Sequence, residues 1–322
     1  MIRMPRVSLE IPAIETNDLK KRYGQVEALA GLSMSVGRGE VFGFLGPNGA
    51  GKTTTVKLLL GLARPTSGTA KVLGAPMGDL ASRRKIGYLP ELFRYQPWLK
   101  AREVLALHAE LIGLPRARRA PAVDEAIGIV GLADRANDVV GKFSKGMQQR
   151  LGLATALLGE PALIILDEPT SALDPVGRVD VRGIVRAASD HGAAVFLNSH
   201  LLSEVEQVCD RVAILDHGRV VALGDLDDVL GVAETQVRVT GVSPDDLPAF
   251  ERFGPPVLEG TDLLRIRPMD AAEVPELVLT LVSMGAKIHE VRSGRTSLEQ
   301  RFLALVAQDR PPAGTPSAQR LR

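Results

Sequence analysis

Residues Gly46 to Thr53 read Gly-Pro-Asn-Gly-Ala-Gly-Lys-Thr, between an apolar strand, Val41 to Leu45, and an apolar helix, Val56 to Leu62. The pattern G-x-x-x-x-G-K-[ST] demands that a strand deliver the loop and a helix leave it, so it constrains the fold as well as the chemistry. Gly46, Gly49 and Gly51 let the backbone turn its N–H groups inward and form a positive nest at a helix N-terminus, where phosphate fits. Pro47, Asn48, Ala50 and Thr54 complete the loop around a bound nucleoside triphosphate. Lys52 reaches the β and γ phosphates, and the Thr53 hydroxyl ligates Mg²⁺.

The 322 residues, 45% of them hydrophobic, suffice for two domains with real cores. Lys plus Arg number 39 and Asp plus Glu 38, so no bulk charge draws the chain to nucleic acid or anionic lipid. The single cysteine, Cys209, excludes an internal disulfide and sits among Val205, Val208 and Val212, where a small buried thiol is expected. Arg3, Pro5, Arg6, Glu10 and Pro12 interrupt the start, which therefore lacks a signal-peptide core, and no run approaches the roughly 20 apolar residues of a membrane helix. The expectation is a chain soluble by itself in a reducing compartment.

From Ile14 to about Gly224, short apolar strands alternate with helical stretches, the pattern of an α/β protein. Val41 to Leu45, Ala162 to Leu166, Ala193 to Leu197 and Val212 to Leu215 are continuous apolar runs, as expected of a parallel sheet covered on both faces. Ile14 to Ser35 predicts a small antiparallel sheet, and about 92–160 a helical subdomain interrupted by Pro115 and Pro121. The expected domains are 14–228, 234–308 and a disordered tail, 309–322. In the second, alternation at Val237/Val239 and Leu264/Ile266 and a helical face at Val274, Leu277, Val278, Leu281 and Val282 predict a small α+β module of ferredoxin-like order. Its last helix is expected to start with a capping box, Thr296 to Glu299.

The strand Leu163 to Leu166 stops at two adjacent carboxylates, Asp167 and Glu168. They point in different directions and so can differ in role: Asp167 to hold Mg²⁺, Glu168 to polarise an attacking water. Taken alone, the pair equally suits an acidic turn after a strand; the phosphate loop upstream favours the metal site.

Together with these, Phe143-Ser-Lys-Gly-Met-Gln-Gln-Arg150 resembles the signature of ATP-binding cassette (ABC) ATPases, usually Leu-Ser-Gly-Gly-Gln. The resemblance continues in order through Tyr23, the phosphate loop, Gly87 to Glu91, the signature, Asp167-Glu168, Ser171 to Asp174, and Asn198-Ser199-His200. It implies a P-loop cassette with a RecA-like core, an antiparallel β subdomain and a helical subdomain. It further implies that Tyr23 stacks on adenine, that Glu91 joins Thr53 and Asp167 at Mg²⁺, and that His200 orients the water and Glu168. Ser144, Lys145, Gly146 and Asp174 would meet ATP held by a second copy, head to tail. Drug, sodium and lipid exporters with a separate permease are the branch resembled most. That branch implies an ATP-hydrolysing subunit, cytoplasmic and peripheral on the inner face of the cell membrane.

The sequence departs from the family pattern at three positions: Glu91 stands for Gln, Lys145 for Gly and Met147 for Gln. An ionised Glu91 ligates Mg²⁺ but donates no hydrogen bond. Phe93, Tyr95 and Trp98 crowd together just after Glu91, either lining a groove for a permease helix or packing inside the helical subdomain. The other histidines, His108, His191, His217 and His289, read as structural. A translation or DNA-repair ATPase is the other class; such chains carry two cassettes or a long coiled coil, and no heptad run separates Lys52 from Ser144. A nucleotide-gated regulatory module without turnover is a third, opposed by the presence of Lys52, Asp167, Glu168 and His200.

Overall fold

The computed structural model describes residues 11–295 and 297–308. Six strands form the largest sheet, in spatial order Arg219–Asp225, Arg211–Asp216, Val41–Leu45, Ala194–Asn198, Leu163–Asp167 and Ile86–Leu89. The last five pair in parallel. Every residue of the three central strands is buried, which is why they read as unbroken apolar runs. The register sets Phe42 opposite Phe196 with their rings stacked at 6.0 Å, and Phe44 packs on Phe196 at 4.9 Å. Burying each such ring contributes roughly 2–3 kcal/mol. The strands extend one residue past their last apolar position, because the ladder continues through polar partners: Asp167 stands opposite Asn198.

The helix after the phosphate loop, Lys52–Leu59, starts and ends earlier than its apolar pattern suggests. Gly51, at φ 106°, turns the chain straight into it, and Leu62 lies past its end, 59% exposed. A four-stranded sheet, ordered Val26–Val36, Ile14–Tyr23, Ser67–Val72 and Ala75–Pro76, is antiparallel throughout. Its Leu29 and Leu32 share one core with Val56, Leu58 and Leu59. Backbone bonds from Ala30 N to Gly218 O (2.8 Å) and from Gly218 N to Ala50 O (3.0 Å) moor this sheet to the phosphate loop.

Helices Ala101–Leu111, Arg116–Ile129 and Lys145–Leu157 make the helical subdomain. Pro115 lies at the N-cap of the second, but the expected interruption at Pro121 does not occur: the helix runs through it. Val123, Ala126 and Ile127 bury one face just downstream, and that packing outweighs one missing backbone hydrogen bond. The helix Lys145–Leu157 lies flush against the edge strand Ile86–Leu89; a Cβ on Gly87 would stand 1.7 Å from the Ala156 carbonyl oxygen.

The described chain divides after Gly224 into two compact units, the second spanning Asp225–Ala307. In this second unit the order is strand Glu234–Thr240, a 3-10 turn Pro244–Phe253, strands Pro256–Glu259 and Leu263–Ile266, helix Val274–Ser283 and strand Lys287–Gly294. All neighbours pair antiparallel, with Glu234–Thr240 and Leu263–Ile266 in the middle, a split βαβ arrangement. Val237, Val239, Leu264, Ile266, Leu277 and Leu281 are its core. The expected capping residue Thr296 lies outside the described residues, as does the tail 309–322. The helix Leu298–Gln308 begins instead with a reciprocal pair: Gln300 N donates to Ser297 Oγ and Ser297 N to Gln300 Oε1, both at 3.3 Å. Among the described residues no helix is long and apolar enough to cross a membrane.

Candidate functional site

The carboxyl ends of the parallel strands converge on the phosphate loop, where open α/β sheets bind ligands. Gly46, Gly49 and Gly51 have φ of 159°, 84° and 106°. A Cβ at Gly51 would lie 2.4 Å from Ala28 O, so both the left-handed turn and the close approach of the antiparallel sheet require glycine there. Lys52 Nζ donates to the carbonyls of Gly46 (2.6 Å) and Pro47 (3.2 Å), which hold the ammonium across the loop. Burial lowers the Lys52 pKa, and the charges of Glu168, Asp167 and Glu91 push it back.

Lys52 thus feels the charge of all three carboxylates. Asp167 is 4% exposed, and desolvation raises its pKa above the carboxylate value of 3.8 even though Asn198 Nδ2 donates to its Oδ1 at 2.5 Å. Tyr88, flanked by Asp167 and Glu91, is pushed up to about 12, chiefly by burial. Glu168 is buried and sits at φ 55°, rare for a residue with a side chain. Its N–H donates to Asn198 O (2.8 Å); its Oε1 accepts from His200 N (2.9 Å), and His200 Nδ1 stands 2.7 Å from Oε2. The His200 ring is 60% exposed, with its other face toward solvent.

Two observations fit a magnesium nucleotide. Asn198 Oδ1 is buried without a hydrogen-bond partner, and a Cβ at Gly49 would meet no heavy atom within 4 Å beyond its chain neighbours, so the loop is open at that point. A divalent cation would also remove the penalty on ionised Asp167. Among the described residues no three His, Cys, Asp or Glu side chains cluster as a ready metal cage. Mg²⁺ needs no such cage, since it is bound through one or two carboxylates and fills the rest of its shell from phosphate and water.

Other motif residues stand apart. Tyr23 is 47% exposed at the end of its strand, with Lys21 Nζ 4.6 Å over one ring face. Ser144 caps the helix Lys145–Leu157 by accepting from Met147 N (3.2 Å), and exposed Lys145 opens its first turn. Asp174 likewise caps Pro175–Asp190 through Gly177 N (2.8 Å). Among the described residues no hydrogen bond or ion pair joins Ser144, Lys145 or Gly146 to Lys52. The aromatic trio divides: Phe93 and Tyr95 pack on each other at 5.4 Å, Tyr95 Oη pairs with Thr155 Oγ1, and Trp98 is 72% exposed. Asn198 was legible only as part of a motif; its clamp on Asp167 spans two strands and has no local signal.

A protein-family model described as ABC transporter matches residues 29–171. An uncharacterised ABC transporter ATP-binding protein of Nostoc sp. is 45% identical over 69% of this chain and 69% of its own length. The Nod factor export ATP-binding protein I of Ralstonia nicotianae is 31% identical over 92% of this chain and 95% of its own. A solved dimeric ATP-binding cassette in a post-hydrolysis state, bound to ADP and Pi, is 25% identical, with a TM-score of 0.61 over 66% of this chain and 99% of its own.

Proposed function

Because this chain belongs to the ABC transporter family as an ATP-binding protein, we propose that it hydrolyses ATP as one of two identical cassettes and thereby drives export through a separate membrane permease. The observation that carries this reading is the gathering of Lys52, Asp167, Glu168 and His200 at the carboxyl ends of the parallel strands, with the buried Glu168 carboxylate held by His200 N and facing His200 Nδ1.

The phosphates lie in the Gly46–Thr53 nest, where N–H groups and Lys52 carry their charge, and Tyr23 offers its open face to adenine. Thr53, Asp167 and Glu91 are the residues to hold Mg²⁺. An ion held by them would supply positive charge against the phosphate oxygens. Glu168 accepts the proton of the attacking water as the water's oxygen bonds to the γ phosphorus and the bridging oxygen leaves with ADP. His200, held by its backbone N–H against Glu168, orients that water and the γ phosphate. Ser144, Lys145, Gly146 and Asp174 sit at helix N-termini and serve the nucleotide of the second copy, so the pocket closes only on dimerisation. The dimeric cassette with ADP and Pi supports that arrangement, and the Nod factor export relative supports the direction. The chain then works at the inner face of the cell membrane, with no role for nucleic acid. Of the aromatic trio, outward-facing Trp98 is the permease anchor, while Phe93 and Tyr95 brace the surface from within.

Glu168→Gln tests the reading. With saturating MgATP the variant should elute as a dimer in size-exclusion chromatography with light scattering. A variant that stays monomeric at high concentration would overturn the shared pocket. Trp98→Ala should leave ATPase activity in solution intact while reducing the membrane-associated fraction in the host; unchanged association removes Trp98 from the interface.

A further inference from the structure

We propose that Gln149 is a positioning residue for Glu168 of the same chain, and that it ties the helix starting at Ser144 to the carboxylate that activates water. The inference rests on the reading above, in which Glu168 is the base and the Ser144 end of that helix meets a nucleotide held by the other copy.

Glu168 sits in the left-handed region at φ 55°, a conformation that persists in a residue with a Cβ only when its surroundings over-determine it. The restraints are visible on both sides of its Cα. Its N–H is fixed by Asn198 O at 2.8 Å. Its carbonyl accepts from Gln149 Nε2 at 3.2 Å and from Ser171 Oγ at 3.1 Å. The carbonyl bonds set the peptide plane, the plane and φ set the Cα–Cβ direction, and that direction aims the carboxylate at His200 N and Nδ1.

Gln149 is 5% exposed, in a helix whose other buried residues are all Leu, Ala or Gly. Leucine or methionine would fill the same space without the desolvation cost of an amide, so the amide is there for its bond. It follows Ser144 by five residues along a continuous helix, a rise of about 7.5 Å. A helix is stiff over that length. A displacement of its N-terminus by a bound γ phosphate is therefore carried to the Glu168 carbonyl, and from there to the carboxylate. Since the signature end serves one pocket of the pair and Glu168 the other, Gln149 makes the base in one pocket respond to occupancy of its neighbour.

The test compares ATP hydrolysis by wild type, Gln149→Met and Gln149→Glu over a range of MgATP and pH. Methionine keeps the length and removes the donor. It should lower kcat about tenfold with KM within twofold, and bring the Hill coefficient toward one. Glutamate keeps the shape, but when ionised it presents an acceptor to an acceptor, so its kcat relative to wild type should be low at pH 8 and recover as pH falls and the side chain regains a proton to donate. A packing role would not move that ratio with pH. Wild-type kcat in both variants overturns the proposal, as does a pH-independent loss accompanied by raised KM. If methionine prevents folding, the isosteric glutamate variant alone decides. A wild-type protein without ATP turnover would instead defeat the reading of the preceding section.

Discussion

The two ends of one parallel sheet are built on opposite principles. At the amino end, two acids are fully answered. Asp210 accepts from Val41 N (2.8 Å) and from Arg186 Nη1 (2.8 Å), and Glu40 accepts from Gly37 N (2.5 Å) and from Arg211 Nη1 (3.1 Å). At the carboxyl end, the acids are left in want. Asn198 Oδ1 and Asp216 Oδ2 are buried there without a hydrogen-bond partner, and the buried Glu168 Oε2 has the exposed His200 ring beside it, Nδ1 at 2.7 Å. The strands between are the same strands, so the difference is not one of fold. One end spends its polar groups on stability, and the other keeps them for a ligand.

The contrast can be broken most sharply at Glu168. Glu168→Gln should lower kcat by roughly two to three orders of magnitude, read by phosphate release, while leaving ATP affinity intact. Lys52→Met should weaken ATP about 100-fold in titration calorimetry by removing the only side-chain cation of the loop. The same change should stabilise the protein without nucleotide. Because the folded-state pKa of Lys52 lies below its value of 10.5, wild-type stability rises with pH toward that value, and this part of the rise should vanish in the variant.

At the amino end the outcome should reverse. Arg211→Met leaves half-buried Glu40 without its cation and should cost about 2 kcal/mol in denaturant unfolding, with kcat unchanged. The smallest expected effect on stability is that of Asp167→Asn. The raised pKa of Asp167 means that the folded state holds its proton more tightly than the unfolded state, so wild-type stability falls as pH rises from 3.8 through the folded value. Asparagine should flatten that fall and raise Tm at neutral pH, while abolishing Mg²⁺-dependent turnover. A destabilised Asp167→Asn protein would show that the carboxyl end is completed after all.

Most of the carboxyl edge is legible in the sequence because its chemistry is written in short contiguous strings. Gly46 to Thr53 and Asp167-Glu168 state both residue type and local geometry. What is not legible depends on contacts between distant segments. Gln149 reads as one more residue of a helix until its bond to residue 168 is seen, and Asn198 as a motif letter until Asp167 stands opposite it. The aromatics after Glu91 look like one patch in sequence, yet successive side chains leave a loop in different directions, and only Trp98 faces out fully. Pro121 misleads for the same reason: local propensity announces a break, and burial of Val123, Ala126 and Ile127 overrides it. The bland reading of the spare histidines suits their settings. His108 and His191 bond carbonyls four residues back in their own helices, at 2.8 and 2.6 Å, and His289 meets Thr240 at 3.1 Å. In the second unit, periodicity locates the strands Glu234–Thr240 and Leu263–Ile266 and the Val274–Ser283 helix but not the 3-10 form of Pro244–Phe253, where Pro248 interrupts the regular ladder.

Gly87 touches no nucleotide, yet the strand that carries the chain toward Glu91 lies so near the Ala156 carbonyl that even one methyl group cannot be inserted. In a saturation mutagenesis screen, this silent position should therefore score as intolerant as Lys52. Alanine there would fail by prising two planks of the machine apart, long before any question of turnover arose.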